Sequence, residues 1–451
     1  MSKRMILSLA ALMGATLCLN AQSFQEGFFL RHNNLAYQYN PAFVGDNNFL
    51  SVGQINYNVQ NNVGAGSFLF PKNDVLVTGF HSAIPAEVFP GKLPENCRQQ
   101  GDLNATIFAY GFHKANAFHT LELNVRGMYG LAVPRQAFEF LKKGTGSSAF
   151  DMGQFRVTGN LFAEVAYGYG RKLNDWLSVG ARAKLLLPLY GLRFDISDLS
   201  VTANTEELSV NYKGNLYMTN RSGKMEIDEA GYVKPFKFSN KEKLGPWPAG
   251  AGLGLDLGLV AMPVEGLTVS LSMLDLGGMY WYYGNRAASS GPLTFEGLEN
   301  LTYEQLNADD LKSKLLDIGK EFLQVMRPVP KIDQWQWQAL HLQANLGVKY
   351  EMPFYRRLAV GATGRYLGSQ GLPYWEGRFG LEVNPWDWLD LTADIGTGSR
   401  GMVWGVAAAV RICRFRITAG MQNGFGGTIP YSSRPIEPNF KSLSLGLSYD
   451  L

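Results

Sequence analysis

The sequence predicts an all-β fold, a transmembrane antiparallel β-barrel of about fourteen strands, and three observations carry the prediction. Apolar/polar alternation runs six times into a tight polar turn and resumes beyond it, and period two is the mark of a strand. After the N-terminus no apolar run approaches the ~20 residues that a spanning helix needs. The composition joins 51 Gly and 13% aromatic residues to only 18% charged residues, which suits strands with one face in hydrocarbon and the other in a polar interior.

The elements follow in chain order. Lys3 and Arg4 precede an apolar run from Met5 to Leu19, and Asn20-Ala21-Gln22 offers a small residue for cleavage, so residues 1–21 are expected to be a secretory signal peptide. Cys18 is a poor lipidation site because the bulky Leu17 stands in the Ala15-Thr16-Leu17 stretch where small residues are needed. Residues 22–48 then form an N-terminal periplasmic or plug segment, and residues 49–451 an outer-membrane barrel with surface loops.

The first strand is a lone alternating segment from Phe49 to Tyr57. Six hairpins follow, with turns near Lys114-Asn116, Asn174-Asp175, Pro263-Glu265, Pro353-Tyr355, Pro385-Asp387 and Cys413-Arg414. The clearest spans Leu161 to Leu187, with Val165, Tyr167, Val179 and Leu185 on one parity and Glu164, Arg182 and Lys184 on the other. Leu443, Leu445, Leu447 and Tyr449 alternate with Ser444, Gly446 and Ser448 in the closing strand. An even total returns both termini to one side.

Those six turns are short, whereas the remaining connections are expected to be long: 58–102, 134–154, 197–247 and 282–335. Barrels keep short turns in the periplasm and long loops outside. Several arms exceed the ~10 residues needed to cross hydrocarbon, so they should continue above the membrane. Two helical pieces interrupt the pattern. Pro134-Arg135-Gln136 opens a short amphipathic stretch carrying Phe138 and Leu141 and ended by Gly144, and Thr302 with Gln305 starts a longer one that carries Leu311, Leu315, Ile318, Phe322 and Val325 up to Pro328.

No catalytic chemistry is legible, and an enzyme is not expected. His32, His81, His113, His119 and His341 lack metal-ligand spacing, and no nucleophile elbow or phosphate loop occurs; neither a cofactor nor a metal is expected. A net charge of +3 is too small to suggest nucleic acid. Cys97 and Cys413 are far apart in the chain and are read as unpaired.

The inward parity is charged with both signs. Glu122, Arg126, Glu164, Arg182, Lys184, Asp256, Lys349, Arg365, Arg378, Glu382, Asp390, Asp394 and Arg416 face the lumen if the alternating apolar residues face lipid. Interspersed signs favour internal pairing, and hence a largely occluded interior, over an ion-selective funnel.

Asn40-Pro41-Ala42-Phe43-Val44-Gly45 resembles the Asn-Pro-Ala element at the N-terminus of two fourteen-stranded families, the FadL-type transporters of hydrophobic compounds and the PorP/SprF proteins of the type IX secretion system. Over most of the chain, Leu131-Ala132-Val133-Pro134, Phe138-Glu139-Phe140-Leu141 and Ala163 to Tyr169 resemble an uncharacterised outer-membrane barrel family, catalogued as a domain of unknown function. The resemblance implies a diderm bacterial outer membrane, with its lipid and its barrel-assembly machinery as partners. Two functions follow as expectations. In one, a small solute of hydrophobic character passes beside a plug bent at Asn40, Pro41, Ala42 and Phe43. In the other, a closed barrel is a docking scaffold for a secretion-system or surface-lipoprotein partner.

The contrast of turn lengths makes the orientation testable. A tag inserted between Asn174 and Asp175 should be unreachable by impermeant reagents on intact cells, and one at Ser222-Gly223 should be labelled; the reverse pattern would overturn the orientation.

Overall fold

A computed structural model describes residues 26–31, 33–72, 75–143, 150–151, 154–203, 208–219, 248–281, 284–289, 329–332, 336–368, 373–399, 401–424 and 440–451. Among them, fourteen strands form the wall: β1 (Phe49–Asn61), β2 (Asn96–Lys114), β3 (Ala117–Pro134), β4 (Phe155–Lys172), β5 (Leu177–Ala203), β6 (Gly250–Ala261), β7 (Leu267–Trp281), β8 (Leu342–Glu351), β9 (Leu358–Gly368), β10 (Tyr374–Trp386), β11 (Leu389–Gly398), β12 (Gly401–Ile412), β13 (Phe415–Gly424) and β14 (Phe440–Asp450). Each is antiparallel to the next, and β14 pairs with β1 from Phe49↔Asp450 to Gln60↔Phe440. The sheet is therefore closed. Closure removes the two edges whose unpaired backbone groups hydrocarbon would not tolerate.

Parity then sorts the side chains. Leu121, Val165, Leu185, Leu257, Leu271, Leu346, Leu381, Val406, Ile417 and Leu445 are exposed on the outer face, while Glu122, Glu164, Arg182, Ser270, Asn345, Glu382, Thr418 and Ser444 are buried inside. Aromatic residues ring both ends, with Tyr280, Trp337, Tyr366 and Trp375 at one and Tyr169, Trp176, Tyr350, Trp386 and Trp388 at the other, all exposed. On β10, positions 375 and 386 mark both rings; eleven residues at ~3.3 Å, tilted by about 40°, give roughly 28 Å between them. This is the height of an outer-membrane barrel's apolar band, and the chain is an outer-membrane β-barrel.

The six turns lie where the sequence places them, and all six are at one end. The opposite end corrects one expectation, because β11 and β12 are joined there by a tight turn in which Gly398 pairs with Gly401 and Gly401 has φ +80°. Gly401 follows the two loop residues, and glycine takes that left-handed conformation at no steric cost. The connections β1–β2, β3–β4, β5–β6 and β7–β8 at this end are built out. β5 runs 27 residues, and its far half pairs with Leu208–Thr219, which pairs with Gly284–Ser289 and through it with Val329–Ile332. The connection between β1 and β2 folds into a lobe in which Phe70, Val77, Ile84, Phe89, Leu93 and Cys97 pack with Phe138 of the helix Arg135–Lys143. Lys142 Nζ donates to the Phe80 and His81 carbonyls at 3.1 and 2.7 Å. Cys97 and Cys413 are both free, Cys97 lying at the start of β2. The expected signal peptide, the expected helical stretch 302–326 and Ser222-Gly223 lie outside the described residues.

The lipid face yields a stability prediction. Leu381 is exposed near the middle of β10, and Arg at the midplane of an outward strand costs roughly 2–4 kcal/mol. Leu381→Arg should reduce heat-modifiable barrel yield, and Thr363→Ser on the inner face of β9 should leave it near the wild-type level.

Candidate functional site

The lumen is filled in layers, beginning at the short-turn end with the N-terminal segment. A helical turn, Glu26–Phe29, leads into a second turn at Ala36–Gln38 and then into Asn40-Pro41. The Asn40 side chain holds the bend: Oδ1 accepts the Ala42 N–H at 2.9 Å, and Nδ2 donates to Ser270 Oγ at 2.8 Å and to the Leu259 and Leu271 carbonyls of the wall at 3.0 and 3.1 Å. An asparagine that closes its own turn, followed by a ring that fixes φ, makes a rigid corner. The Tyr39 carbonyl accepts from Ser272 Oγ at 2.7 Å. Pro41 and Ala42 are buried, and Phe43 packs on Phe28, Phe29 and Tyr39.

Two wall glycines make this approach possible. A Cβ at Gly258 would clash with Asn40 Oδ1, and one at Gly180 with the Pro41 carbonyl. Around the rest of the wall, Arg31 pairs with Glu351 at 2.7 Å, and its N–H donates to Glu382 at 3.1 Å, where Lys349 Nζ also binds at 3.2 Å. Asn34 donates to Asp450 at 2.8 Å, and Arg416 pairs with the same carboxylate at 2.7 Å. Gln38 donates to Thr106 at 3.2 Å and to Glu122 at 3.4 Å.

Glu122 opens the second layer, an ion-pair network between β3 and β7. Arg182 reaches Glu122 at 3.4 Å, Glu164 at 3.5 Å and Asp256 at 3.0 Å, while Lys184 Nζ lies 2.6 Å from both Asp256 and Asp275. Arg126 forks onto Asp275 at 2.8 and 2.7 Å and bonds Glu164 at 2.9 Å. Burying so many charges carries a desolvation cost that only mutual pairing offsets, so removing one member exposes the whole cost of its partners. Across the lumen Arg378 binds Asp394 at 2.7 Å, Glu376 at 3.1 Å and Gln422 at 2.9 Å. Arg365 donates to Gln343 at 2.7 Å, and Asp390 accepts from Asn384 at 2.8 Å.

Asp275 escapes alternation, because Met273 and Leu271 on its own parity face lipid. A bulge brings it inside. The β6–β7 register slips between Leu255↔Leu276 and Leu257↔Met273, Asp275 takes φ +61°, and its N–H donates to Asp256 at 2.7 Å. The signal in the sequence is a lone carboxylate inside an apolar parity, between Leu274 and Leu276.

Above the network lies a third layer that is apolar, made by Met128, Phe162, Leu186, Ala249, Met279, Trp281 and Leu340. Arg126 sits over the Phe162 ring at 5.4 Å and joins the two layers. Inward apolar residues were also unforeseen, and their trace is the unbroken Leu185-Leu186-Leu187 run, apolar on both faces of β5. Beyond them, at the long-connection end, a cavity of about 120 Å³ is lined by Met128, Trp281, Tyr217, His341, Arg98, Arg156 and Arg193 among others.

The model of DUF5723, a family of unknown function, matches residues 41–422. No curated protein sequence matches the chain. Among solved structures, the chain is similar to the Pseudomonas putida toluene transporter TodX, at 11% identity, covering 96% of this chain and 98% of that one with a TM-score of 0.46. It is similar to a Pseudomonas aeruginosa FadL homologue at 12% identity, 96% and 98% coverage and a TM-score of 0.47. The translocator domain of the autotransporter NalP from Neisseria meningitidis matches at 10% identity, 98% and 96% coverage and a TM-score of 0.33.

The network is tested at its least expected member. Asp275→Ala leaves Arg126 and Lys184 short of a carboxylate and should cost about 3–5 kcal/mol, measured as a lowered urea midpoint in lipid vesicles. An unchanged midpoint would mean that Asp275 contributes nothing to the pairing.

Proposed function

The chain belongs to the DUF5723 family of unknown function, and we propose that it is an outer-membrane transporter passing a small solute of hydrophobic character. In this reading the short turns face the periplasm, and residues 26–48 act as a plug that closes the periplasmic end of the lumen. The observation that carries it is how the segment is held. Among the described residues it meets the inner wall through the hydrogen bonds of Asn40 and the ion pair of Arg31 with Glu351, and no disulfide ties it there. A non-covalent closure at one end and a cavity with Met128, Tyr217 and Trp281 in its lining at the other suit a solute that enters from outside and waits for release.

A second reading, the closed docking scaffold, is favoured by the ion-pair and apolar layers that fill the lumen between cavity and plug. One experiment separates the two. Deletion of residues 26–46 from the mature chain should leave a heat-modifiable barrel and raise its single-channel conductance in planar bilayers. Conductance unchanged from wild type, together with loss of a co-purifying partner, would favour the scaffold and refute transport.

A further inference from the structure

The lipid-facing wall carries a polar notch at its short-turn rim. Lys114 pairs with Ala117 across β2–β3, and Ala117 pairs with Arg171 across β3–β4. With strands ~4.8 Å apart, two cations flank one methyl group, roughly 10 Å from each other at Cα. One row deeper, Phe112 pairs with His119 and His119 with Tyr169. These positions share the parity of Leu121 and Leu123, which are exposed outward.

An imidazole on that face is chemically out of place, and its surroundings show it to be built in. His119 stacks on Phe112 at 5.1 Å and 14°, meets Tyr169 edge-on at 5.4 Å, and its Nδ1 lies 2.7 Å from the Tyr167 hydroxyl. Those contacts hold the ring and leave Nε2 for an external partner. Two other rim cations are matched, Arg356 by Glu265 at 2.6 Å and Arg357 by Asp387 at 2.7 Å. Lys114 and Arg171 are exposed and have no carboxylate partner among the described residues.

Unmatched positive charge, a hydrogen-bonding ring and an aromatic floor that passes into an apolar wall match one neighbour that the barrel always has. We propose that this notch binds the headgroup of an anionic phospholipid from the adjoining leaflet. Its phosphate sits between Lys114 and Arg171, an oxygen reaches His119, and its acyl chains lie along the Leu121 and Leu123 face. Charge-assisted bonds to phosphate supply affinity, and the aromatic rings set the depth of the headgroup at the interface.

The mature chain in dodecylmaltoside micelles provides the test, read as the temperature of heat modification during titration with phosphatidylglycerol, phosphatidylcholine or inorganic phosphate. Phosphatidylglycerol should raise the temperature at concentrations where the other two do nothing. Lys114→Gln/Arg171→Gln should raise the half-effect concentration by roughly tenfold or more, because each charge-assisted bond is worth about a factor of ten. His119→Phe, which keeps the ring stack, should weaken the effect by a smaller factor, while Arg356→Gln/Arg414→Gln, removing the same charge elsewhere on the rim, should leave it at the wild-type value. Equal action of the two lipids, full action of inorganic phosphate, an unchanged response in both notch variants, or equal loss in the rim control would each overturn the proposal.

Discussion

Hydrocarbon offers no hydrogen bonds, so a strand that crosses it must find a partner on both sides, and the pairing of β14 with β1 is the interaction on which the remainder depends. Once that seam is closed, period two divides the wall into an outer set that meets lipid and an inner set that does not. The outer set needs only apolar bulk and aromatic ends. The inner set has a harder problem, because the same closure that shelters the backbone encloses the charged side chains.

Two devices meet that problem. Carboxylates and cations are interleaved so that each buried charge has partners, with Arg182 and Lys184 bridging carboxylates carried by β3, β4, β6 and β7. The N-terminal segment supplies further polar groups against the wall at the short-turn end. Glu122 belongs to both, accepting from Gln38 of the segment and pairing with Arg182. Displacing the segment therefore removes a donor from the network itself. A continuous run of contacts thereby joins the two ends of the lumen, since Arg126 of that network also covers the apolar layer beneath the cavity at the long-connection end.

Much of this was legible along the chain. The hairpin turns from Lys114-Asn116 to Cys413-Arg414, the parity of Glu164, Arg182 and Lys184, and the corner at Asn40-Pro41 all follow from local rules of alternation and turn chemistry. Asp275 was not, because a bulge depends on how two strands register and alternation assumes that they register evenly. Phe162, Leu186 and Met279 inside the lumen were missed for a related reason: parity says which face a residue takes but not which layer of the interior it meets. The tight turn between Gly398 and Gly401 depends on β11 and β12 pairing through to its edge, a register that alternation alone does not fix.

By itself the sequence determined the class of fold, the strand count and the two faces of the wall, since those depend on near neighbours and on solvent. Only the tertiary structure decided which charges neutralise one another, which glycines lie beneath Asn40 and Pro41, and where the lumen is filled, because these are contacts between residues up to several hundred positions apart. Closing the barrel brings them within a few ångströms, and that distance is what makes a buried charge tolerable and a wall glycine necessary.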